Sequence, residues 1–351
     1  MQINIHTCMM YEEQKQFLSK LLTVSCPSGS EEQVIDLFRD SVSSYVDEIS
    51  TDAMGNCIAH KKGEGPKVMI TAHADEIGLM VHYIDEKGFL YFKEIGGVDT
   101  ALLMGRKVLV HGNDGSVIGV IGKKPIHLQD KKNPSLEINP EDLWIDIAAR
   151  DGNEARAKVS IGSIATILAD VSYLSNTVVA SKALDDRIGI FVLTEIARQL
   201  NAIKADVYLV ATVQEELGAR GAQVAAETIK PSIGIAIDVT HATDYPTSNA
   251  VHDGDIQVGK GVVISNGPNM DKTLTSKIKK IADEAKIPYQ MEAIARPTGT
   301  DARMIQVSGT GVKTGLLSIP CRYMHTPNEV VSLDDADACI RLLVKYLHRV
   351  N

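Results

Sequence analysis

Short apolar runs that each lead to an ionisable side chain are the clearest pattern in the chain. Three of them are 68–72 before His73, 207–213 before Glu215 and Glu216, and 233–237 before Asp238. Apolar runs of this length predict strands that are buried on both faces, as in the parallel sheets of α/β proteins. Because parallel strands point their carboxyl ends at one crevice, we expect these side chains to lie close together.

Apolar residues at helical spacing predict the helices that flank such a sheet. The predicted helices are 11–24, 30–46, 186–200, 218–229 and 270–286, followed by a last helix that begins at Ser332. Two of these helices also have a start signal, because Ser30 with Gln33 and Ser332 with Asp335 have the spacing of a capping box.

The pattern changes between residues 76 and 170. This segment consists of short β-like runs separated by turns such as 85–88 and 113–115, and it contains no convincing helical pattern. We therefore predict a small all-β domain at 76–170 that is inserted into an α/β domain. Residues 1–75 and 171–351 then form one discontinuous domain with a mixed sheet flanked by helices.

Length and composition indicate an ordinary globular protein of about two domains. Of the 351 residues, 44% are hydrophobic and 23% are charged, and the five cysteines form no Cys-x-x-Cys pair. The net charge of −9 and the pI near 5.6 argue against nucleic acid or an acidic membrane surface as a partner. No apolar run approaches the ~20 residues of a membrane span, and no secretion signal is visible. We expect a cytoplasmic protein.

Two further groups complete a candidate metal site. Asp185 and Asp186 precede the predicted helix 186–200, and His325 lies in a loop before the last helix. With the side chains that follow the strands, they supply two imidazoles and at least three carboxylates. A ligand set without thiolates suits Zn²⁺ or a related first-row divalent ion, and a bridging carboxylate would suit two ions. Taken singly, each group has an ordinary structural explanation, such as an N-cap for the aspartates.

Spacing suggests separate tasks for neighbouring residues. His73 and Asp75 project to the same side of an extended backbone, so Asp75 can orient the imidazole by accepting its second N–H. Glu215 and Glu216 point in different directions, so one can bind metal while the other acts as a general base. A first-turn pair stabilised by the helix dipole explains the two glutamates equally well.

Taken together, these motifs resemble the tetrahedral (TET) aminopeptidases, a family of dinuclear metallopeptidases that includes glutamyl aminopeptidases and proteins formerly labelled endoglucanases. The matching segments span nearly the whole chain in the expected order: His73-Ala74-Asp75-Glu76-Ile77-Gly78, Ala183-Leu184-Asp185-Asp186-Arg187, Gln214-Glu215-Glu216, Asp238-Val239-Thr240-His241, Gly299-Thr300-Asp301-Ala302 and Arg322-Tyr323-Met324-His325.

The resemblance implies a set of metal ligands. Asp185 would bridge two ions, with His73 and Asp238 completing one site and Glu216 and His325 completing the other. The ions would be Zn²⁺ or Co²⁺.

The resemblance also implies the reaction and the assembly. Glu215 would be the general base, Asp75 would orient His73, and a hydroxide held between the ions would remove N-terminal residues from peptides. The fold would be a zinc-peptidase-like catalytic domain. The inserted β domain would serve oligomerisation, giving dimers and a tetrahedral dodecamer.

The segment 299–302 is open to two interpretations. Its place in the family suggests that Thr300 and Asp301 line the pocket for the N-terminal side chain of the substrate. Either residue can instead cap a helix that continues through Met304 and Ile305, and we favour the cap.

Three other functions remain open. The same ligands could serve a metal-dependent amidase or deacylase that acts on small N-acyl substrates. A carbohydrate-active enzyme would need two opposed carboxylates and no metal. A metal-dependent scaffold without catalysis is the third, and the presence of Glu215 argues against it.

Overall fold

The computed structural model describes residues 5–128 and 138–350. Outside the described residues are 1–4, 129–137 and 351. They belong to the predicted segments 1–75, 76–170 and 171–351 respectively. The first elements along the chain are α1 (Ile5–Thr23), α2 (Glu32–Val42), β1 (Glu48–Thr51), β2 (Cys57–Lys61) and β3 (Lys67–His73).

A small closed β barrel follows. Its elements are β4 (Gly78–Ile84), β5 (Leu90–Ile95), β6 (Lys107–Gly112), β7 (Gly115–Lys123), β8 (Leu143–Asp146), α3 (Gly152–Lys158) and β9 (Ile164–Ile167). The strand order β4-β5-β8-β7-β6-β9 closes on itself around an apolar interior that includes Leu79, Phe92 and Ile145. The short helix α3 was not predicted. It begins at Asp151, whose carboxylate caps it by accepting two main-chain N–H groups.

The remaining elements return to the α/β arrangement. They are β10 (Ser172–Tyr173), β11 (Val178–Ser181), α4 (Leu184–Ala197), β12 (Asp206–Thr212), α5 (Arg220–Ile229), β13 (Ile233–His241), α6 (Ala250–Asp253), β14 (Val262–Asn266), α7 (Lys272–Ala285), β15 (Tyr289–Ala293), α8 (Asp301–Val307), β16 (Lys313–Arg322), β17 (Glu329–Ser332) and α9 (Leu333–Leu347).

One mixed sheet connects the two halves of the α/β part. Its strand order is β1-β2-β12-β3-β13-β16-β17-β11-β10, with β14 paired to β16 and β15 paired to β14. The central strands β12, β3, β13 and β16 are parallel, so their carboxyl ends lie at one edge. The predicted mixed sheet flanked by helices is therefore confirmed. That 76–170 is a separate domain with these boundaries stays a prediction.

Apolar packing covers both faces of the sheet. Helices α1, α2, α4, α7 and α9 contribute to a large cluster on one face, whereas α5 and α8 contribute to a smaller cluster on the other. Every residue of α4 is buried, because this helix is apolar around most of its circumference and has no solvent face. Within the described residues, no helix is long and apolar enough to cross a membrane.

The helix starts differ in part from the sequence prediction. Ser332 caps α9 by accepting the main-chain N–H of Asp334, as predicted. Asp335 does not complete a capping box, because its carboxylate accepts the N–H groups of Gly259 and Gly261 instead. The predicted capping box at Ser30 was wrong, since α2 starts one residue later with Glu31 at its N-cap position.

Candidate metal centre

Asp185 lies between the two imidazoles that the sequence singled out. Its Oδ1 is 3.0 Å from Nε2 of His73, and its Oδ2 is 3.3 Å from Nε2 of His325. One carboxylate therefore presents a separate oxygen to each histidine. This is the arrangement that a carboxylate needs in order to bridge two ions.

Three chain segments bring these groups together. His73 is the last residue of β3, and Asp185 lies in the first turn of α4, where the backbone is not helical. His325 lies in the loop between β16 and β17 with a φ of 62°. The sequence analysis predicted that Asp185 and His325 complete a metal site with His73, and the structure brings the three side chains within hydrogen-bonding distance.

Glu215 and Glu216 lie in the loop after β12 and point to different histidines. Oε2 of Glu215 is 4.0 Å from Nε2 of His73, whereas Oε1 of Glu216 is 3.3 Å from Nε2 of His325. The loop is not yet helical at this point, since α5 begins at Arg220. Stabilisation by a helix dipole therefore does not explain the pair.

Asp75 holds this loop and contacts His73. Its Oδ1 accepts the main-chain N–H of Glu215 at 3.0 Å, and its Oδ2 accepts that of Glu216 at 3.1 Å and the hydroxyl of Ser28 at 2.6 Å. Nδ1 of His73 lies 3.4 Å from Asp75 Oδ1 and 3.2 Å from the Asp75 carbonyl oxygen. Burial acts to raise the pKa of Asp75, but these hydrogen bonds outweigh it and lower the pKa.

Asp238 approaches the cluster from β13. Its Oδ1 is 4.0 Å from Nε2 of His73, and the strand continues three residues beyond it to His241. The predicted strand 233–237 therefore does not end at Asp238. The side chain is nevertheless at the carboxyl edge of the sheet, because β13 extends further than β3.

Asp186 is close to the cluster but its oxygens already have partners. Oδ2 accepts the main-chain N–H of His73 at 3.2 Å, and Oδ1 accepts that of Gly189 at 3.1 Å. Those hydrogen bonds fix the end of β3 to the start of α4. Asp185, whose oxygens face imidazoles, is the better ligand of the two.

The buried carboxylates of the cluster disfavour one another's ionised forms. Burial raises the pKa of Glu215 to about 10, and the nearby carboxylates of Asp238 and Asp301 act in the same direction. Burial and neighbouring carboxylates also raise the pKa of Glu216 and hold those of Asp186 and Asp238 well above their ordinary range. Bound cations would reverse these shifts by favouring the ionised carboxylates.

The pKa values of the two imidazoles are also raised, which favours their protonated, positively charged forms. Hydrogen bonds to Asp185 and Glu216 raise the pKa of His325 to about 11. Burial alone would lower the pKa of His73, but its contacts with Asp185 and Asp75 raise it well above the ordinary value. Without metal, the two protonated imidazoles therefore neutralise part of the carboxylate charge.

The residues present fit divalent cations. Donor atoms of His73, Asp185 and Glu216 lie within 4.8 Å of one another, and so do those of His73, Asp186 and Asp238. The set combines imidazole nitrogens with carboxylate oxygens, which suits first-row divalent ions. A buried group of carboxylates also requires counter-charge, and cations supply it.

A polar cleft opens beside the cluster. Its lining includes Glu215 and Asp238 together with Thr240, Thr298 and Thr300. The hydroxyl groups offer hydrogen bonds without adding charge. The cleft therefore gives access to the carboxylates of Glu215 and Asp238 from this side.

Thr300 and Asp301 have different surroundings. Thr300 caps α8 by accepting the N–H of Ala302, as favoured above, and it also lines the cleft. Asp301 is 2% exposed and accepts the hydroxyl of Thr212 at 2.7 Å. Of the pair, Thr300 is the residue that can contact a substrate.

Two residues that were not predicted from the sequence, Glu329 and Gly97, hold candidate ligands in place. Glu329 accepts the main-chain N–H of Asp185 at 2.9 Å and that of His325 at 2.8 Å. The carbonyl of Gly97, in the barrel, accepts a hydrogen bond from Nδ1 of His325 at 2.8 Å. The only sequence signal for Glu329 is an acidic residue four positions after His325. A main-chain carbonyl such as that of Gly97 leaves no sequence signal.

Comparisons with known proteins identify the family of the chain. The family model of the M42 glutamyl aminopeptidases matches residues 55–342. The chain is 39% identical over 330 residues to the lysyl aminopeptidase of Pyrococcus furiosus, covering 93% of this chain and 94% of the relative.

Two solved structures have closely similar folds. The TET aminopeptidase of the Thaumarchaeota archaeon SCGC AB-539-E09 superposes with a TM-score of 0.93 at 30% identity, covering 97% of this chain and 98% of that chain. The TET1 peptidase of Pyrococcus horikoshii, which can assemble into a tetrahedron or a large octahedral shell, has a TM-score of 0.87 at 31% identity, covering 96% of this chain and 99% of that chain.

Proposed function

The chain belongs to the M42 glutamyl aminopeptidase family and is an aminopeptidase, and from this premise we propose that it works with two divalent cations, Zn²⁺ or Co²⁺. The residues that would hold them are His73, Asp185, Glu216, Asp238 and His325. The observation that most directly supports two ions rather than one is the position of Asp185, whose oxygens face separate imidazoles.

The cations would lower the pKa of a water molecule and place positive charge beside the scissile carbonyl. Glu215 acts as the general base, because its carboxylate borders both the cleft and the cluster. It accepts a proton from the attacking water and donates it to the leaving amine. Asp75 orients His73 and, through the main-chain N–H of Glu215, the base as well.

The cleft would receive the N-terminal end of a peptide. Its threonine hydroxyls, including that of Thr300, offer hydrogen bonds to the substrate. The substrate needs a free α-amino group, which separates an aminopeptidase from an amidase or deacylase acting on N-acyl compounds.

The experiment compares aminoacyl p-nitroanilides with their N-acetylated forms, using protein loaded with Zn²⁺ or Co²⁺. We expect turnover of the free-amine substrates and at least a 100-fold lower kcat/KM for the acetylated ones. Equal or faster turnover of the acetylated substrates would replace this proposal with the deacylase. A panel of N-terminal residues and both metals in the same assay identifies the preferred substrate and ion.

We further propose that residues 76–170 act as a separate domain for self-association into dimers and a tetrahedral dodecamer. Exposed apolar side chains on the barrel support this, because Ile118 is 62% exposed, Val120 44% and Tyr83 52%. The assembly of the Pyrococcus horikoshii TET1 peptidase is consistent with it. Native mass spectrometry tests the proposal. A monomer at micromolar concentration would contradict it.

A further inference from the structure

Glu329 connects two candidate ligands that come from different parts of the fold. It is 2% exposed at the start of β17. Its Oε2 accepts the main-chain N–H of Asp185, in the first turn of α4, and its Oε1 accepts that of His325, in the β16–β17 loop. One carboxylate therefore fixes the backbone of both residues and sets their separation.

A second contact fixes the ring of His325. Its Nδ1 donates to the carbonyl oxygen of Gly97, which lies in the barrel after β5. A carbonyl only accepts hydrogen bonds, so Nδ1 must carry the proton and Nε2 remains for a metal. A Cβ atom at position 97 would lie 3.0 Å from Nδ1 and 3.3 Å from Cε1 of His325. These contacts are tighter than ordinary van der Waals contacts, so a side chain at position 97 would displace the ring by a few tenths of an ångström.

His325 depends on such contacts more than His73 does. His73 is 2% exposed and belongs to β3, whose strand pairing fixes its backbone. The His325 side chain is 33% exposed, and its backbone is in the left-handed region, which a residue other than glycine rarely adopts.

We propose that Glu329 and Gly97 are positioning residues for one half of the metal centre, the half formed by Asp185, Glu216 and His325. The barrel thereby completes a metal site in the α/β part of the chain. The inference rests on the proposed two-ion centre, which it deepens by naming what holds the second ion in place.

Glu329→Gln is the main test variant. The substitution keeps the size of the side chain but replaces one acceptor oxygen with an NH₂ group that faces an N–H donor. Gly97→Ala is the second variant. Gly97 is exposed and does not require a positive φ, so alanine disturbs the histidine ring without straining the backbone.

Asp335→Asn is the matched control. Asp335 is also buried and also accepts two main-chain N–H groups, from Gly259 and Gly261, at 2.6 Å each. The loop it holds carries none of the candidate ligands. A general effect of removing a buried carboxylate would therefore appear in this variant as well.

The measurement is calorimetric titration of chelator-treated protein with Co²⁺, with bound cobalt counted by elemental analysis after dialysis. We expect two ions per subunit in the wild type and in Asp335→Asn. In Glu329→Gln and Gly97→Ala, one ion should bind as in the wild type and the other 10- to 100-fold more weakly. Thermal unfolding of the metal-free variants checks that they are folded.

Unchanged affinities for both ions in Glu329→Gln and Gly97→Ala would overturn the inference while leaving the two-ion centre intact. A wild type that binds one ion would instead overturn the two-ion centre. In that case the test of the positioning role is the affinity of the single ion. If Glu329→Gln and Gly97→Ala both bind it as tightly as the wild type, the inference is overturned. Equal weakening in Asp335→Asn also overturns it, because the effect would not be specific to the metal half-site.

Discussion

The carboxylate of Asp75 accepts a hydrogen bond from the main-chain nitrogen of Glu215 at 3.0 Å. The same carboxylate approaches Nδ1 of His73, so one side chain orients a proposed metal ligand and positions the proposed general base. The pattern His73-x-Asp75 predicted the contact between Asp75 and His73. The contact between Asp75 and Glu215 depends on the neighbouring positions of β3 and β12 in the sheet.

Asp75→Asn is expected to lower both metal affinity and turnover by about 10- to 100-fold. The N–H groups of Glu215 and Glu216 bond to different oxygens of Asp75, and in asparagine one of these oxygens is replaced by an NH₂ group that cannot accept. Steady-state kinetics at saturating Zn²⁺ and calorimetric titration with Zn²⁺ measure the two effects. Ser28→Ala removes a single hydrogen bond to Asp75 and should have a smaller effect. Wild-type kinetics in Asp75→Asn would contradict the positioning role.

Glu215→Gln is expected to retain the bound zinc and to lose about 10²- to 10⁴-fold in kcat, the usual range for a general base. Glutamine has the size of glutamate but cannot accept a proton at neutral pH. Zinc content and kcat are measured on the same preparation. Glu227→Gln, on the exposed side of α5, is the control and should be fully active. Retained peptidase rate in Glu215→Gln would remove it from the role of base.

Chelation is expected to abolish activity and to lower the melting temperature. Without cations, the cluster has to keep several carboxylates protonated, as the raised pKa values of Glu215 and Glu216 show. Binding of an ion to the folded state alone raises stability in proportion to the logarithm of its concentration. Melting curves at a series of Zn²⁺ or Co²⁺ concentrations measure this. Activity that survives dialysis against chelator would rule out the metal mechanism.

Glu76→Gln is expected to lower the free energy of unfolding by about 3 to 5 kcal/mol, as when a buried ion pair loses one partner. The Glu76 carboxylate contacts Nζ of Lys182 at 2.6 Å and Nη2 of Arg187 at 3.3 Å, and all three side chains are buried. Chemical denaturation of the metal-free proteins measures the change. Glu154→Gln removes exposed ion pairs with Arg150 and Lys158 and should change stability little.

The stability deficit of Glu76→Gln should shrink as the pH rises. Burial lowers the pKa of Lys182 below its ordinary value of 10.5, and Glu76 opposes this shift in the wild type. In the variant the pKa of Lys182 in the folded state falls further. Between that pKa and 10.5 the unfolded chain binds more protons than the folded chain, so the free energy of unfolding increases with pH in this interval. Denaturation at pH 7 and pH 9.5 measures the trend. A deficit that grows with pH would mean that Lys182 is not the group left uncompensated.

The side chains of the candidate centre were predictable because they follow apolar runs at one edge of a parallel sheet. His73, Glu215 and Asp238 illustrate this, since each follows or lies within a central strand. Glu329 was not predictable, because an acidic residue in a strand has no distinctive pattern until its two N–H partners are known. The role of Gly97 depends on how the barrel lies against the β16–β17 loop, which periodicity does not reveal.

The helix starts also show that some contacts follow from local sequence and others from long-range packing. The N-cap at Ser332 follows from local sequence. Asp335 does not form the predicted capping box, because it accepts hydrogen bonds from a loop more than seventy residues away in sequence. Local signals therefore identified where elements lie, and long-range contacts decided which polar partner each side chain took.

The distance along the chain between the first and last ligands has a consequence for synthesis. The strand β12, which is the neighbour of His73 in the sheet, is synthesised only after the whole barrel, and His325 follows later still, after β16. Pairing across such long separations is slow and cannot begin before both strands exist. The candidate centre therefore cannot be complete before His325 has been synthesised, because the ligands from the earlier strands have no partner for the second half-site until then.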